Sequence, residues 1–226
     1  MKELDPYKPL LSLIEERGYS AYFVGGCVRD ALFNRLIKDV DIASTAPTDE
    51  IIDIFSDFPL DFSGIAFKTV SFQYKKTPVT ITTFRKEGAY TKHRYPSEVS
   101  YTQNIEEDAS RRDFTINAIY INAEDHVFDF YLGLEHIKEK RLVSIKPPQR
   151  SMSEDALRIL RALRFAATYQ LSFDDELIQA IKDHASLVNK LSRHSLDSEL
   201  DKLKRHATIE QQTKFYEYLV RFNIRM

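Results

Sequence analysis

The sequence changes texture once, near residues 145–152 at IKPPQRS, and that change constrains the fold more than any other feature. Before it, short β-rich runs alternate with helical patterns. AYFVGG, DVDIAS, FKTVSFQY, VTITTF and TINAIYIN are rich in β-branched and aromatic residues with alternating character, which predicts strands. Helices are predicted between them at about 6–17, 27–35, 48–57 and 106–112. After Ser153 the strand signals stop. SEDALRILRALRFAATY, DDELIQAIKDHASLVNKL and SLDSELDKLKRHA carry apolar residues at helical spacing, and two prolines mark the junction. The expectation is an α+β fold, with a mixed sheet flanked by helices over residues 1–148 and an all-helical domain over 149–226.

With 226 residues, 43% of them hydrophobic, the chain can build a real core. No apolar run reaches the roughly 18 residues of a membrane helix, and the N-terminal MKELDPYKPLL has charge where a signal peptide has its apolar stretch. No membrane is expected as a partner, and the cytoplasm is the expected compartment. The single cysteine, Cys27, excludes an internal disulfide, and the histidines lack zinc-ligand spacing, so any metal must rest on oxygen ligands. A net charge of −2 argues against a histone-like nucleic-acid binder, while local basic patches stay open to RNA.

Chemistry concentrates first in Val24-Gly25-Gly26-Cys27-Val28-Arg29-Asp30. Two glycines between a predicted strand and a predicted helix let bare backbone N–H groups and the helix dipole approach phosphate oxygens, and Arg29 can add a charge-assisted contact. Alone, such a turn is usually only a turn. Asp39 and Asp41 follow on a predicted strand, where residues i and i+2 share a face with their Cα atoms about 7 Å apart. Two carboxylates so placed can hold Mg²⁺, which takes oxygen ligands and leaves positions for phosphates. That is what two-metal phosphoryl transfer requires. An isolated DxD would more often be a solvated strand end.

GGCVRDALFNRLIKDVDIAST resembles motif A of the class II tRNA nucleotidyltransferase and bacterial poly(A) polymerase family, whose catalytic head has the polymerase-β-like nucleotidyltransferase fold. The resemblance covers about residues 20–170. Arg111-Arg112-Asp113-Phe114-Thr115-Ile116-Asn117-Ala118 is similar to motif B, associated in the family with ribose and phosphate contacts. Arg112 suits phosphate, and Asp113 and Asn117 suit a sugar hydroxyl. Glu154-Asp155-Ala156-Leu157-Arg158 resembles motif D, the amino-acid template. Asp155 and Arg158, at i and i+3, are expected on one helix face reading the edge of a base. Arg161 and Arg164 continue that spacing, and the family uses arginines there near the nucleotide.

The resemblance implies a template-independent RNA nucleotidyltransferase that adds C, A or both from CTP and ATP to a tRNA 3′ end, with Mg²⁺ on Asp39 and Asp41. Gly25, Gly26, Arg29, Asp30, Arg112, Asp113, Asn117, Asp155, Arg158, Arg161 and Arg164 would bind the nucleotide. The partners implied are ATP, CTP and RNA, and no oligomeric state is specified. Residues 1–148 would be the family's head and 149–226 its neck, without the body and tail domains that hold tRNA. From Lys182 onward, nine Lys/Arg stand against six Asp/Glu, a mild excess for attracting phosphates.

Departures from the pattern shape the alternatives. Thr80 stands where many relatives carry Glu. Around Asp129, DFYLGLEHIK places Leu132 and His136 at positions usually glycine and aspartate. LSRHSLDSEL roughly follows motif E, keeping Glu199 while placing His194 and Ser195 where a Glu-Arg pair is common; helix-surface or capping duty is an equally good account of Glu199. Arg85 to Pro96, with Tyr90 and Tyr95, corresponds to the family's flexible loop and suits a mobile lid. DFSGIAFKTVSF is closer to CCA-adding enzymes than to poly(A) polymerases. Poly(A) polymerase is the nearer alternative, and a catalytically weakened nucleotide- or RNA-binding module the more distant one.

Overall fold

The β-branched and aromatic residues of AYFV and VDIAS form two neighbouring, largely buried strands at the centre of a mixed sheet in the computed structural model, which describes residues 1–91 and 93–225, with the backbone alone at Tyr95 and Pro96. In chain order the strands of this sheet are β1 (Ala21–Val24), β2 (Val40–Ser44), β3 (Thr69–Tyr74), β4 (Thr77–Thr83), β5 (Ile119–Ile121) and β6 (Val127–Asp129). They lie in the order β6-β5-β1-β2-β4-β3. β1 pairs antiparallel with β2, with Phe23 opposite Ile42, and β2 pairs parallel with β4, with Val40 opposite Val79 and Asp41 opposite Thr80. A two-residue turn, Lys75-Lys76, closes the β3–β4 hairpin with both residues at positive φ, the twist that suits such a turn.

Period-2 alternation separates the two faces of these strands. Val40, Ile42, Val70, Phe72, Val79 and Ile81 are buried on one face, where Phe55 stacks on Phe72 at 5.1 Å. Asp41, Thr80 and Ser71 form a row on the other, since opposed residues point the same way. Around the sheet run α1 (Lys8–Glu15), α2 (Gly26–Leu32), α3 (Thr48–Ile54) and α4 (Ile105–Ser110). The strand expected across TINAIYIN starts only at Ile119. Thr115–Asn117 is a 3-10 turn, in which the Asn117 side chain is drawn to Arg29 instead of the ladder.

Two compact units divide the chain, and they interleave along it: Met1–Glu87, Val99–Arg112 and Ile116–Leu134 form the first, and Gly88–Glu98, Asp113–Thr115 and Glu135–Met226 the second. Asp129 closes the end of the first unit, its two carboxylate oxygens accepting the N–H groups of Gly133 and Leu134 at 2.8 Å each. Those groups open α5 (Gly133–Lys138), and the preceding Leu132 sits at φ 58, a left-handed conformation that glycine adopts more readily than leucine.

The second unit is mainly helical, with α6 (Pro148–Glu154), α7 (Leu157–Tyr169), α8 (Asp175–His184), α9 (Arg193–His206) and α10 (Ile209–Arg221). The fold class is as expected, a mixed sheet with flanking helices and then a run of helices. The continuous helix expected from Ser153 to Tyr169 is broken. Asp155 has extended backbone angles and ends α6, and its Oδ1 accepts the Leu157 N–H at 3.0 Å at the start of α7. An aspartate can satisfy an open helix-start donor in this way, and that competes with continuing the helix.

Candidate nucleotide and metal site

In the first unit, Gly25 ends the turn out of β1 at φ 72, which only glycine adopts without strain, and α2 begins at the next residue. A Cβ on Gly25 would stand 3.2 Å from Asp41 Oδ2, and one on Gly26 would meet Asp41 Oδ2 at 3.5 Å and Asp39 Oδ1 at 3.6 Å. The glycines therefore lay bare backbone directly against both carboxylates. Asp41 lies on β2, Asp39 just before it, and the Gly26 N–H donates to Asp41 Oδ2 at 3.4 Å.

Burial pushes the Asp41 carboxyl above its ordinary range, the charge of Asp39 pushes it further, and Arg112 and Arg29 pull it back. The Asp41 carboxylate, half-buried beside that of Asp39, is thus under-compensated by the protein's own cations. The donor set of the two carboxylates is hard oxygen, the kind that suits a divalent ion such as Mg²⁺, with sites left for phosphate and water. Among the described residues no group of three or more His, Cys, Asp and Glu is arranged to hold a metal. Cys27 is no nucleophile here: burial raises its thiol to about 12, and its Sγ lies against the carbonyls of Val24 and Asp41.

Arg29 is 6% exposed, donating through Nε and Nη2 to Asp30 Oδ1 and through Nη1 to Asn117 Oδ1 at 2.7 Å. Arg112 donates from Nε to the Tyr120 hydroxyl at 2.8 Å and from Nη2 to Asp108 Oδ2 at 3.1 Å, while its Nη1 lies 3.6 Å from where a Gly25 Cβ would be. The first unit thus brings together Gly25, Gly26, Arg29, Asp30, Asp39, Asp41, Arg112 and Asn117. Sequence reasoning missed Asp108 and Tyr120; their signal was present only as a polar residue on a predicted helix and a tyrosine within an apolar strand.

The second unit holds the remaining residues. Asp113, expected at a sugar hydroxyl, is tied to Arg161, whose Nε donates to its Oδ2 at 2.6 Å. Arg158 is 3% exposed, donates to Ser151 Oγ at 3.0 Å and to the Tyr90 hydroxyl at 3.1 Å, and lies over the Tyr90 ring. Asp155 does not share a helix face with Arg158, because the helix breaks at Asp155; Arg94 holds its Oδ2 at 3.0 Å. Burial raises the Asp155 carboxyl against the pull of Arg94 and Arg158.

Tyr90 and Arg94 come from the segment expected as a mobile lid. Arg85–Glu87 pairs with Val99–Tyr101 in the first unit, and Tyr90–Thr91 with Tyr95–Pro96 in the second. The Ala156 N–H donates to the His93 carbonyl at 2.9 Å, so this ribbon braces the helix break. Lys92 and the side chains of Tyr95 and Pro96 lie outside the described residues.

Glu199 is not a surface residue. At 2% exposure it accepts from Arg164 Nε at 2.7 Å and Lys202 Nζ at 2.9 Å, with Arg161 Nη1 at 3.8 Å. Burial alone would raise its carboxyl, but Arg164, Arg161 and Lys202 outweigh it and hold it at about 2. The ordinary helix-surface account fails because the residue faces three cations inside the helical unit.

The family model described as the poly A polymerase head domain matches residues 21–143. The CCA-adding enzyme of Streptococcus uberis is 44% identical over 195 residues, 86% of this chain and 48% of that protein. The crystal structure of the Bacillus stearothermophilus CCA-adding enzyme in complex with CTP has a TM-score of 0.78 and 32% identity, covering 90% of this chain and 49% of that one. A tRNA nucleotidyltransferase complexed with a primer tRNA and an incoming ATP analogue has a TM-score of 0.74 and 27% identity, over 94% of this chain and 60% of that one. The chain spans about half the length of the curated relatives it matches.

Proposed function

We propose that this chain, which belongs to the poly A polymerase head-domain family, carries the nucleotide-transferring part of a CCA-adding tRNA nucleotidyltransferase. The observation that carries this reading is the meeting of the bare Gly25-Gly26 backbone with Asp39, Asp41 and Arg112. It is supported by relatives named CCA-adding enzymes, one of them solved with CTP.

In this reading the 3′-hydroxyl of an RNA attacks the α-phosphorus of CTP or ATP; the new P–O bond forms as the bond to the β-phosphate breaks, and pyrophosphate leaves. No side chain is the nucleophile. Asp39 and Asp41 are the residues that would hold Mg²⁺. Bound there, the ions would lower the pKa of the attacking hydroxyl and neutralise the leaving pyrophosphate. The N–H groups at the start of α2, with Arg29 and Arg112, receive the triphosphate. Asn117, drawn to Arg29, stands near the ribose end, and Asp30 and Asp113 orient Arg29 and Arg161. Asp155 and Arg158 select the base, each held by a ribbon residue, with Arg161 and Arg164 beside them. The reaction takes place in the cytoplasm.

The test is extension of tRNA ending at the discriminator base, C or CC, by the purified chain with Mg²⁺ and labelled CTP or ATP, beside Asp39→Ala and Asp41→Ala controls. Controlled addition of C and A supports the reading. Homopolymeric A tails would favour a poly(A) polymerase, and no extension by the chain or a longer form containing it would overturn it.

A further inference from the structure

Asp108 on α4 is fully buried, and five donors converge on its carboxylate. Its Oδ1 accepts from the Arg85 N–H at 3.2 Å and from Arg111 Nε at 2.9 Å and Nη2 at 2.8 Å. Its Oδ2 accepts from Arg112 Nη2 at 3.1 Å and from the Tyr120 hydroxyl at 2.7 Å. Tyr120 in turn receives Arg112 Nε at 2.8 Å, and the guanidinium lies 5.1 Å from the centre of its ring. Asp108, Tyr120 and Arg112 thus close a triangle of hydrogen bonds, each member touching the other two.

Such a triangle is an expensive thing to bury unless its geometry is used. A lone carboxylate would satisfy an arginine in one of several orientations, whereas a carboxylate and a phenol hydroxyl bonded to each other leave a single one. Two of the three guanidinium nitrogens are committed to the triangle. The third, Nη1, is the one directed to the Gly25 turn beside Asp41. The ring of Tyr120 is fixed independently, edge-on to Tyr22 and Phe84 at 6.2 Å each.

We propose that Asp108 and Tyr120 are positioning residues that hold Arg112 Nη1 toward the triphosphate of the incoming nucleotide. The proposal rests on the nucleotidyltransfer reading above and extends it to two residues outside the motif carrying Arg112. Neither touches substrate; each acts through Arg112. The acid anchors the guanidinium, and the phenol fixes its rotation about the remaining axis.

Tyr120→Phe is the cleaner variant, because it removes one hydroxyl and keeps the ring packing; Asp108→Asn keeps the shape and removes the charge. Binding of ATP with Mg²⁺ to the full chain is measured by calorimetry for the unmodified protein, Tyr120→Phe, Arg112→Ala and the double variant, with thermal unfolding alongside. Tyr120→Phe should weaken ATP binding about tenfold, the size of one hydrogen bond to a charged group, and raise KM for ATP more than it lowers kcat. In the Arg112→Ala background the same change should cost nothing further. An equal loss in both backgrounds, or unchanged affinity in both Tyr120→Phe and Asp108→Asn, would overturn the proposal. Absence of ATP binding by the unmodified chain would instead overturn the nucleotide-site reading on which it rests.

Discussion

Asp41 and Thr80 stand directly opposite one another on neighbouring parallel strands, on the face of the sheet that also carries Ser71. Thr80 Oγ1 lies 3.2 Å from Ser71 Oγ, so a hydroxyl pair occupies the ground beside the carboxylates. Thr80→Glu would add a third acid to this row. Without metal the added charge should lower the melting temperature, since Asp41 is already short of compensation. With Mn²⁺ or Mg²⁺ the order should reverse, with divalent-ion affinity rising about tenfold. Thermal unfolding with and without the ion checks both signs.

The two glycines should respond in opposite directions. Gly25→Ala forces an alanine to φ 72 and brings its Cβ to 3.2 Å from Asp41 Oδ2, so stability should fall by about 1–2 kcal/mol. Gly26→Ala meets only ordinary contacts at 3.5 Å and beyond, and lies in α2, so it should gain up to about 1 kcal/mol of helix preference. Both should lose nucleotide addition, because each fills the approach to the carboxylates. Urea unfolding beside an extension assay separates the effects; a fully active Gly26→Ala would count against phosphate approach at this turn.

Arg94 holds the Asp155 carboxylate at 3.0 Å. Arg94→Ala should drive that carboxyl higher still, because burial is then opposed chiefly by Arg158. On the proposed role of Asp155, discrimination of CTP and ATP against UTP and GTP should fall about tenfold or more, the scale set by one misplaced hydrogen-bonding group. Ratios of kcat/KM measure it, and unchanged ratios would separate Arg94 from base selection.

Glu199 gives the clearest pH signature. Its carboxyl is held at about 2 in the folded chain, below its ordinary value of 4.5, by the surrounding cations. The folded-state value is depressed, so the stabilisation is fully present above the unfolded-state pKa and is lost as pH falls through about 4.5 toward 2. Its size is on the order of 3 kcal/mol. Glu199→Gln should be less stable at neutral pH, by about 3–5 kcal/mol since three cations lose their partner, and should show a flatter acid limb. Unfolding curves between pH 7 and pH 3 test this.

Local pattern made much of the fold legible. Strand alternation placed β1 to β4, apolar spacing placed α1 to α4, and the loss of strand signal after Ser153 announced the run of helices. The Gly-Gly turn and the two aspartates were legible for the same reason: a turn that needs positive φ and two carboxylates spaced two apart at the start of a strand are both local facts, although β2 begins only at Val40, one residue after Asp39. The break at Asp155 was not, because a helix-forming run and a capping aspartate compete on nearly equal local terms, and bracing from Arg94 and His93 favours the break.

What the sequence alone determined about the Asp41 neighbourhood was its ingredients: two glycines, two carboxylates and an arginine-bearing motif some 70 positions further on. Tertiary structure decided which of these meet. Only the parallel β2–β4 register sets Thr80 opposite Asp41. Only the triangle with Asp108 and Tyr120 directs Arg112 to the Gly25 turn. Only the packing of α7 against α9 turns Glu199 from a surface acid into the buried partner of Arg164. The reason is common to all three: backbone preferences act over a few residues, while buried charges must find partners wherever the chain brings them, and that choice is made by desolvation across long sequence separations.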